Sequence, residues 1–193
     1  MAERTKEAPP RVILGIDPGT VVTGWGVVQA IGSTLRHLGH GTVNASSAEP
    51  QAARLSRIYR ALSKVMLEFR PDGVSLEKVF FALNVQSALK LGQARGVALL
   101  AAAEQSVEVH EYSAVEIKSA VVGFGHATKQ QVQMMIGSLL QVADRVPVDA
   151  ADALAAAICH LHRQAFEGRV ADSLRKQATP LRPRGTSTRV RRS

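Results

Sequence analysis

Four acidic residues are the side chains best placed to do chemistry in this chain of 193 residues. Asp17 follows the apolar run Val12–Ile16, and Glu77 lies inside a second apolar run. Asp149 and Asp152 are three residues apart, which places them on one face of a helix. Carboxylates without cysteine or histidine partners form an oxygen-ligand site, and hard cations such as Mg²⁺ prefer such ligands.

Each acid also has an ordinary structural explanation. Asp17 begins an Asp-Pro-Gly turn, where aspartate is a common first residue. Glu77 could face solvent, although a strand between two helical layers has no wet face. Asp149 and Asp152 could stabilise the first turn of a helix. Together, the four acids predict a site for two Mg²⁺ ions, with Mn²⁺ able to substitute, that activates water against a phosphodiester bond.

A possible metal-binding group and a possible phosphate-binding loop give weaker signals. Cys159, His160 and His162 lie close in sequence, but the two histidines point to different sides of a helix, so we expect structural roles. Residues 123–125, Gly-Phe-Gly, predict a turn. They lack the Gly-Lys-Ser/Thr ending of a nucleotide-binding P-loop.

Three further residues could contact a nucleic acid. Phe80 follows the strand that contains Glu77, and its ring could either join the core or stack on a base. Lys118 and Lys129 flank the glycine-rich loop. Solvated lysines are the ordinary explanation, and contacts to phosphates are the alternative.

The apolar pattern predicts the elements that position these residues. Five strands are expected at Val12–Ile16, Gly24–Ala30, Leu35–Val43, Val74–Val79 and Val107–Tyr112. Five helices are expected at Gln51–Arg70, Val85–Ala103, Glu116–Val122, Lys129–Val142 and Asp149–Gln164. Three consecutive strands indicate an antiparallel meander, and the later alternation indicates parallel crossovers. The predicted fold class is therefore α/β, a mixed five-stranded sheet with helices on both faces.

The net charge of +8 points to an anionic partner such as nucleic acid or a membrane surface. Most of this charge lies in residues 169–193, which contain eight basic residues and one acid. Residues 12–168 contain equal numbers of acidic and basic residues. We therefore predict an N-terminal extension at 1–11, a domain at 12–168 and a disordered basic tail at 169–193.

Composition excludes several classes of protein. A single cysteine excludes an internal disulfide framework. The apolar run Val97–Ala103 falls far short of the ~18 residues that a membrane span requires. The start of the chain is charged and lacks the apolar core of a signal peptide. We expect a cytoplasmic protein without a membrane partner.

Three segments of the chain occur in the order of a known family. They are Gly15–Thr20 with Thr23–Gly26, Glu77–Phe80 with Ser87–Val97, and Asp149–Ala155. In all three the chain resembles the RuvC family of Holliday junction resolvases. The opening turn alone also resembles sugar kinases and actin-like ATPases, but the long middle segment does not.

The resemblance implies a ribonuclease H-like fold and a homodimeric, metal-dependent endonuclease of DNA recombination and repair. It implies symmetric nicks in a Holliday junction that leave 5′-phosphate and 3′-hydroxyl ends, and cooperation with the RuvA–RuvB branch-migration complex. Seven residues match the family's functional positions: Asp17, Glu77, Asp149 and Asp152 as catalytic metal ligands, and Phe80, Lys118 and Lys129 as DNA contacts.

Two other functions stay open on the residues alone. The basic tail is also typical of a nucleic-acid-binding protein that does not cleave. The turn at Asp17 is also typical of actin-like phosphotransferases, but these need a duplicated domain for which 193 residues leave no room. Ala88, Gly92 and Gly96 would permit the close contact between subunits that a homodimer needs.

Overall fold

The computed structural model describes residues 9–78, 85–142 and 145–178. The strands of this part are β1 (Arg11–Asp17), β2 (Val22–Ile31), β3 (Thr34–Asn44), β4 (Gly73–Glu77) and β5 (Glu108–Tyr112). The helices are α1 (Gln51–Phe69), α2 (Val85–Glu104), α3 (Ala114–Val122), α4 (Lys129–Leu140) and α5 (Val148–Ala178). All ten predicted elements are present. Among the described helices, none is long and apolar enough to cross a membrane.

The strands form one mixed sheet in the order β3-β2-β1-β4-β5. β1, β2 and β3 pair in antiparallel fashion, whereas β4 pairs in parallel with both β1 and β5. Parallel neighbours need crossover connections, which α1 and α2 supply. The structure therefore confirms the predicted meander followed by parallel crossovers.

Two apolar clusters lie on opposite faces of the sheet. Because side chains alternate along a strand, Ile13 of β1 packs with α3, α4 and α5, whereas Leu14 and Ile16 pack with α1 and α2. Helices thus cover both faces, as predicted. Side chains that point from β1 toward α5 are removed from water unless they lie at the end of the strand.

The end of α5 differs from the prediction. The helix continues to Ala178, whereas the pattern predicts an end at Gln164. Residues 165–178 contain few large apolar residues, but they are rich in good helix formers and contain no proline. The helix therefore includes residues 169–178 of the predicted tail, and residues 179–193 lie outside the described ranges. The chain divides into two compact units, Met1–His162 and Arg163–Ser193, and the domain boundary at Gly168 stays a prediction.

Candidate active site

Asp17 is positioned by β1 and by the turn that follows it. Alternation places it on the same face as Ile13 and Gly15, the face that α5 covers. Thr23, which is fully buried, fixes the turn. Its hydroxyl donates to the Gly19 carbonyl oxygen at 2.6 Å and accepts from the Gly19 N–H at 3.2 Å. The carboxylate is thereby held at the C-terminal edge of the sheet.

Glu77 is the last residue of β4, the parallel neighbour of β1. The register of these two strands places Glu77 beside Asp17. Ser75, two residues earlier, is fully buried, and its hydroxyl donates to the Ala156 carbonyl oxygen of α5 at 2.7 Å. Alternation then places Glu77 on the α5 face of the sheet, like Asp17.

The start of α5 lies close to the sheet because glycines face it. A Cβ atom on any of three glycines in β1 and β2 would overlap α5: Gly15, Gly24 and Gly26. At Gly24 the overlap is with the Asp149 carbonyl group, and Gly24 pairs with Asp17 across the two strands. The first turn of α5, which carries Asp149 and Asp152, therefore lies against the end of β1.

The four acids, which we call the acid cluster, interact electrostatically. Burial, and after it the negative charges of Asp152, Asp149 and Glu77, raises the pKa of Asp17 from 3.8 to about 7. Partial burial, followed by the charge of Asp152, raises the pKa of Glu77. Charge interactions weaken with distance, so these shifts indicate that the acids share one site.

Two lysines lie beside the acid cluster. Lys129 Nζ donates to Asp152 Oδ2 at 3.0 Å, and this hydrogen bond raises the pKa of Lys129. The charge of Lys129 lowers the pKa of both Asp17 and Glu77, and the charge of Lys118 lowers the pKa of Glu77. The structure thus brings both predicted lysines within electrostatic reach of the acids.

Capping boxes fix the starts of α3 and α4, the helices that carry these lysines. The Ser113 hydroxyl accepts from the Glu116 N–H at 3.3 Å, and the Glu116 carboxylate accepts from the Ser113 N–H at 2.8 Å. Thr128 and Gln131 form the equivalent pair in α4. Because Lys129 directly follows its cap, the cap determines where its side chain begins.

The acid cluster can be tested as a metal site from its donors. As they stand, no three His, Cys, Asp or Glu side chains in the described part of the chain form a group that could hold a metal ion. Asp152 is directed to Lys129 instead. The donor chemistry does fit a hard divalent cation, because mutually repelling carboxylates bind such ions through oxygen. The residues that could hold it are the four acids.

Comparison with known proteins assigns this arrangement to a family. The family model of the crossover junction endodeoxyribonuclease RuvC matches residues 13–160, a stretch that includes all four acids. The chain belongs to the RuvC family. The RuvC of Geobacter sulfurreducens is 50% identical over 148 residues, which cover 77% of this chain and 90% of that protein. Membership excludes the actin-like phosphotransferase.

Solved RuvC structures share the fold. Thermus thermophilus RuvC in complex with Holliday junction substrate is 36% identical with a TM-score of 0.78, covering 81% of this chain and 96% of that one. The yeast mitochondrial Holliday junction resolvase Ydc2 has a TM-score of 0.66 at 14% identity, covering 90% and 87%, which indicates a common fold alone. The predicted RuvC membership and ribonuclease H-like fold are confirmed.

The cysteine and histidines near the end of the RuvC domain have the structural roles that the sequence predicts. Cys159 is buried. The His160 ring stacks on His110 with centroids 4.0 Å apart, and its Nδ1 lies 2.7 Å from the Tyr112 hydroxyl. His162 contacts a backbone carbonyl oxygen of α3 at 2.9 Å. These contacts occupy the side chains in packing rather than in a metal site.

Three other predicted features have different outcomes. Gly123 ends α3 with a φ of 91°, which agrees with the predicted turn. Phe80 lies outside the described residues. Within the described ranges, no atom outside the local backbone of α2 lies within 4 Å of where a Cβ on Gly92 or Gly96 would stand, so no described backbone packs against these glycines.

Sequence reasoning missed the residues that hold the RuvC acids in place. Thr23 and Ser75 left no signal, because one buried hydroxyl does not form a pattern. Arg95 left none either: it contacts the Glu77 carbonyl oxygen and the Glu111 carboxylate, which lie far from it in sequence. The one available signal was the Gly-Trp-Gly of β2, since glycine in a strand often marks a close approach of another backbone.

Proposed function

We propose that the protein is a Holliday junction resolvase, an endodeoxyribonuclease of homologous recombination and DNA repair. The observation that carries the proposal is the convergence of four acids from β1, β4 and α5 at one edge of the sheet. Membership in the RuvC family supports it. So does the similarity to T. thermophilus RuvC, whose structure contains a Holliday junction substrate.

The acid cluster is the proposed metal site. Asp17, Glu77, Asp149 and Asp152 would hold two Mg²⁺ ions, and Mn²⁺ would substitute. When bound, the ions would supply activation of the attacking water and stabilisation of the leaving oxygen. Hydrolysis breaks the bond between phosphorus and the 3′ oxygen, so the products carry 5′-phosphate and 3′-hydroxyl ends.

Lys118 and Lys129 would contact the DNA backbone near the cleaved bond. The Lys129 side chain is 73% exposed, so it can move from Asp152 to a phosphate without breaking a packed core. That movement would free Asp152 to bind a cation. Phe80 follows Glu77 closely in sequence, and we expect it to stack on an unpaired base of the junction.

A second copy of the chain would supply the second cut. Paired symmetric nicks need two sites related by a two-fold axis, and a homodimer provides them. The exposed face of α2 fits this contact, because Gly92 and Gly96 permit close approach while Leu89 and Leu100 are exposed. Light scattering at micromolar concentration should give twice the chain mass, and a monomer would contradict the contact.

Two further properties follow from the resemblance to the RuvC family. We propose that the protein works with the RuvA–RuvB complex and acts in the cytoplasm. Co-elution with RuvA–RuvB on a four-way junction, and no co-elution without DNA or RuvA, would support the partnership. Separate elution on the same junction would contradict it.

The function is tested on a synthetic four-way junction and a linear duplex of matched sequence, each with and without Mg²⁺. We expect nicked duplex products from the junction alone, in Mg²⁺ alone, with cuts at symmetric positions. Binding without products would favour the non-cleaving nucleic-acid-binding protein, which the basic residues after Gly168 also suit. Equal cleavage of the linear duplex would contradict junction selectivity.

A further inference from the structure

Arg95 is a largely buried charge to which the proposed cleavage reaction gives no role. It lies in α2 with a side chain that is 16% exposed, and burial lowers its pKa. Removing a guanidinium from water is costly unless its N–H groups find partners. Nη1 donates to the Glu77 carbonyl oxygen at 2.8 Å, and Nη2 pairs with the Glu111 carboxylate.

These two contacts lie at the end of β4, the strand that carries the proposed metal ligand Glu77. Glu77 is the last residue of β4, and one further hydrogen bond, from the Lys78 N–H to the Tyr112 carbonyl oxygen at 2.7 Å, joins this end to β5. Glu111 lies at the same end of β5. Arg95 therefore connects α2 to the ends of both strands.

We propose that Arg95 is a positioning residue for Glu77. Its hydrogen bond holds the main chain from which the Glu77 carboxylate projects, and leaves that carboxylate free for a cation. The cations that lower the pKa of Glu77 are Lys129 and Lys118 rather than Arg95. Glu111 balances the charge of Arg95, so the guanidinium does not compete with a divalent ion in the acid cluster.

The position of Arg95 on α2 also links the site to assembly. At 100° per residue, Arg95 lies between the core-facing Ala94 and Ala98 and the exposed Gly92 and Gly96. Helix α2, whose Arg95 contacts the main chain of Glu77, is therefore also the helix proposed to contact a second copy. The inference rests on the proposed function, because it treats Glu77 as a metal ligand.

The test compares Arg95→Met, Arg95→Lys and Glu111→Gln with the control Arg57→Gln. Arg57, which lies on α1, forms a surface pair with Glu49, so its replacement removes an exposed arginine. Two quantities are measured: the Mg²⁺ concentration for half-maximal junction cleavage, and Mn²⁺ affinity by calorimetry without DNA. Melting temperature and dimer mass report on structure alone.

Arg95→Met should weaken both metal readouts by about 10- to 100-fold, as removal of a group that orients a metal ligand commonly does. Arg95→Lys keeps one donor and should restore part of the loss. Glu111→Gln keeps the bond to Glu77 and should cost only about threefold. Arg57→Gln should leave both readouts unchanged.

A folded Arg95→Met protein with wild-type metal readouts would overturn the proposal, because a purely structural role changes the melting temperature alone. If Arg95→Met does not fold, Arg95→Lys decides: weakened metal binding supports the role, and wild-type binding overturns it. A wild type that cuts no junction would contradict the proposed function alone, because Mn²⁺ affinity still decides the role of Arg95. A wild type that binds no Mn²⁺ would overturn both.

Discussion

The side chains of α5 have different environments in its first half, residues 148–162, and in its second half, residues 163–178. In the first half, every residue of Ala153–Leu161 is buried, and Asp149 and Asp152 belong to the acid cluster. Among the described side chains of the second half, three large apolar ones are exposed: Phe166, Val170 and Leu174. Helix α5 thus carries a packed segment with two members of the acid cluster and an unpacked basic segment.

The two halves also differ in how their charged residues act. The acids act over short distances in partly buried positions, where packing fixes their geometry and shifts the pKa of Asp17. Basic residues that attract a phosphate backbone act over longer distances and tolerate variable geometry. Changes near the first half of α5 should therefore alter cleavage or folding, whereas changes after it should alter the salt dependence of binding.

The largest effect is expected at the acid cluster. Asp17→Asn should reduce junction cleavage by about 10³-fold or more, because it removes a proposed ligand of the catalytic ions. Junction affinity without divalent ions should stay near that of the wild type. Single-turnover cleavage and gel-shift binding measure the two quantities. Glu68→Gln, which replaces an exposed acid of α1, is the control, and full cleavage by Asp17→Asn would sink the assignment.

A glycine-to-alanine substitution compares the packing around the two halves of α5, at Gly24 beside the first half and at Gly168 in the second. Gly24→Ala should destabilise the fold by about 3 kcal/mol, because its methyl group would overlap the backbone at Asp149 and the helix cannot relax freely. Gly168→Ala, in the second half, meets no described atom beyond the local backbone of its own helix and should add about 0.5–1 kcal/mol of stability. Denaturant unfolding of both proteins measures the difference. Equal stabilities would refute the close contact between β2 and α5.

A smaller effect concerns the pH dependence of stability in EDTA. The pKa of Asp17 is about 7 in the fold, against an ordinary value of 3.8. Its ionised form therefore destabilises the fold, with no cost below pH 3.8 and the full cost above pH 7. After allowance for partial exposure, Asp17→Asn should gain about 1–3 kcal/mol over the wild type at pH 8. The gain should vanish near pH 4. A gain that does not change with pH would show that the ionised Asp17 carboxylate does not destabilise the fold.

The smallest effect is expected beyond the packed half of α5. Deletion of residues 173–193 removes seven basic residues. It should weaken junction binding by about tenfold at physiological salt and flatten its salt dependence, because fewer counterions are released. Fluorescence anisotropy across a salt series measures both. A chain of unchanged length with these seven residues replaced by Gln is the control, and loss of cleavage at low salt would show that the tail does more than bind.

The sequence predicted secondary structure best where the periodic pattern of apolar residues determines it. Strand alternation and helical spacing predicted every described element, because both faces of the sheet are packed. The start of α3 shifted from Glu116 to Ala114 because Ser113 caps the helix, and a cap depends on one side chain rather than on a period. The end of α5 moved further, because good helix formers without a proline continue the helix beyond Gln164.

At the site, positions set by a local sequence pattern could be predicted, and contacts between distant residues could not. The positions of Asp17 and Glu77 could be derived, because neighbouring parallel strands end at one edge. The contacts that hold them could not, since they join residues distant in sequence: Ser75 to α5, and Arg95 to the end of β4. The pair between Lys129 and Asp152 was equally hidden, because no local pattern connects residues 23 positions apart.

Mn²⁺ binding, followed by electron paramagnetic resonance in the wild type and in Asp17→Asn, tests the central claim most directly. If the acids of β1, β4 and α5 form one divalent-cation site, the wild type should bind Mn²⁺ and Asp17→Asn should bind it at least about tenfold more weakly. Glu68→Gln should match the wild type. Identical binding curves for the wild type and Asp17→Asn would contradict the account.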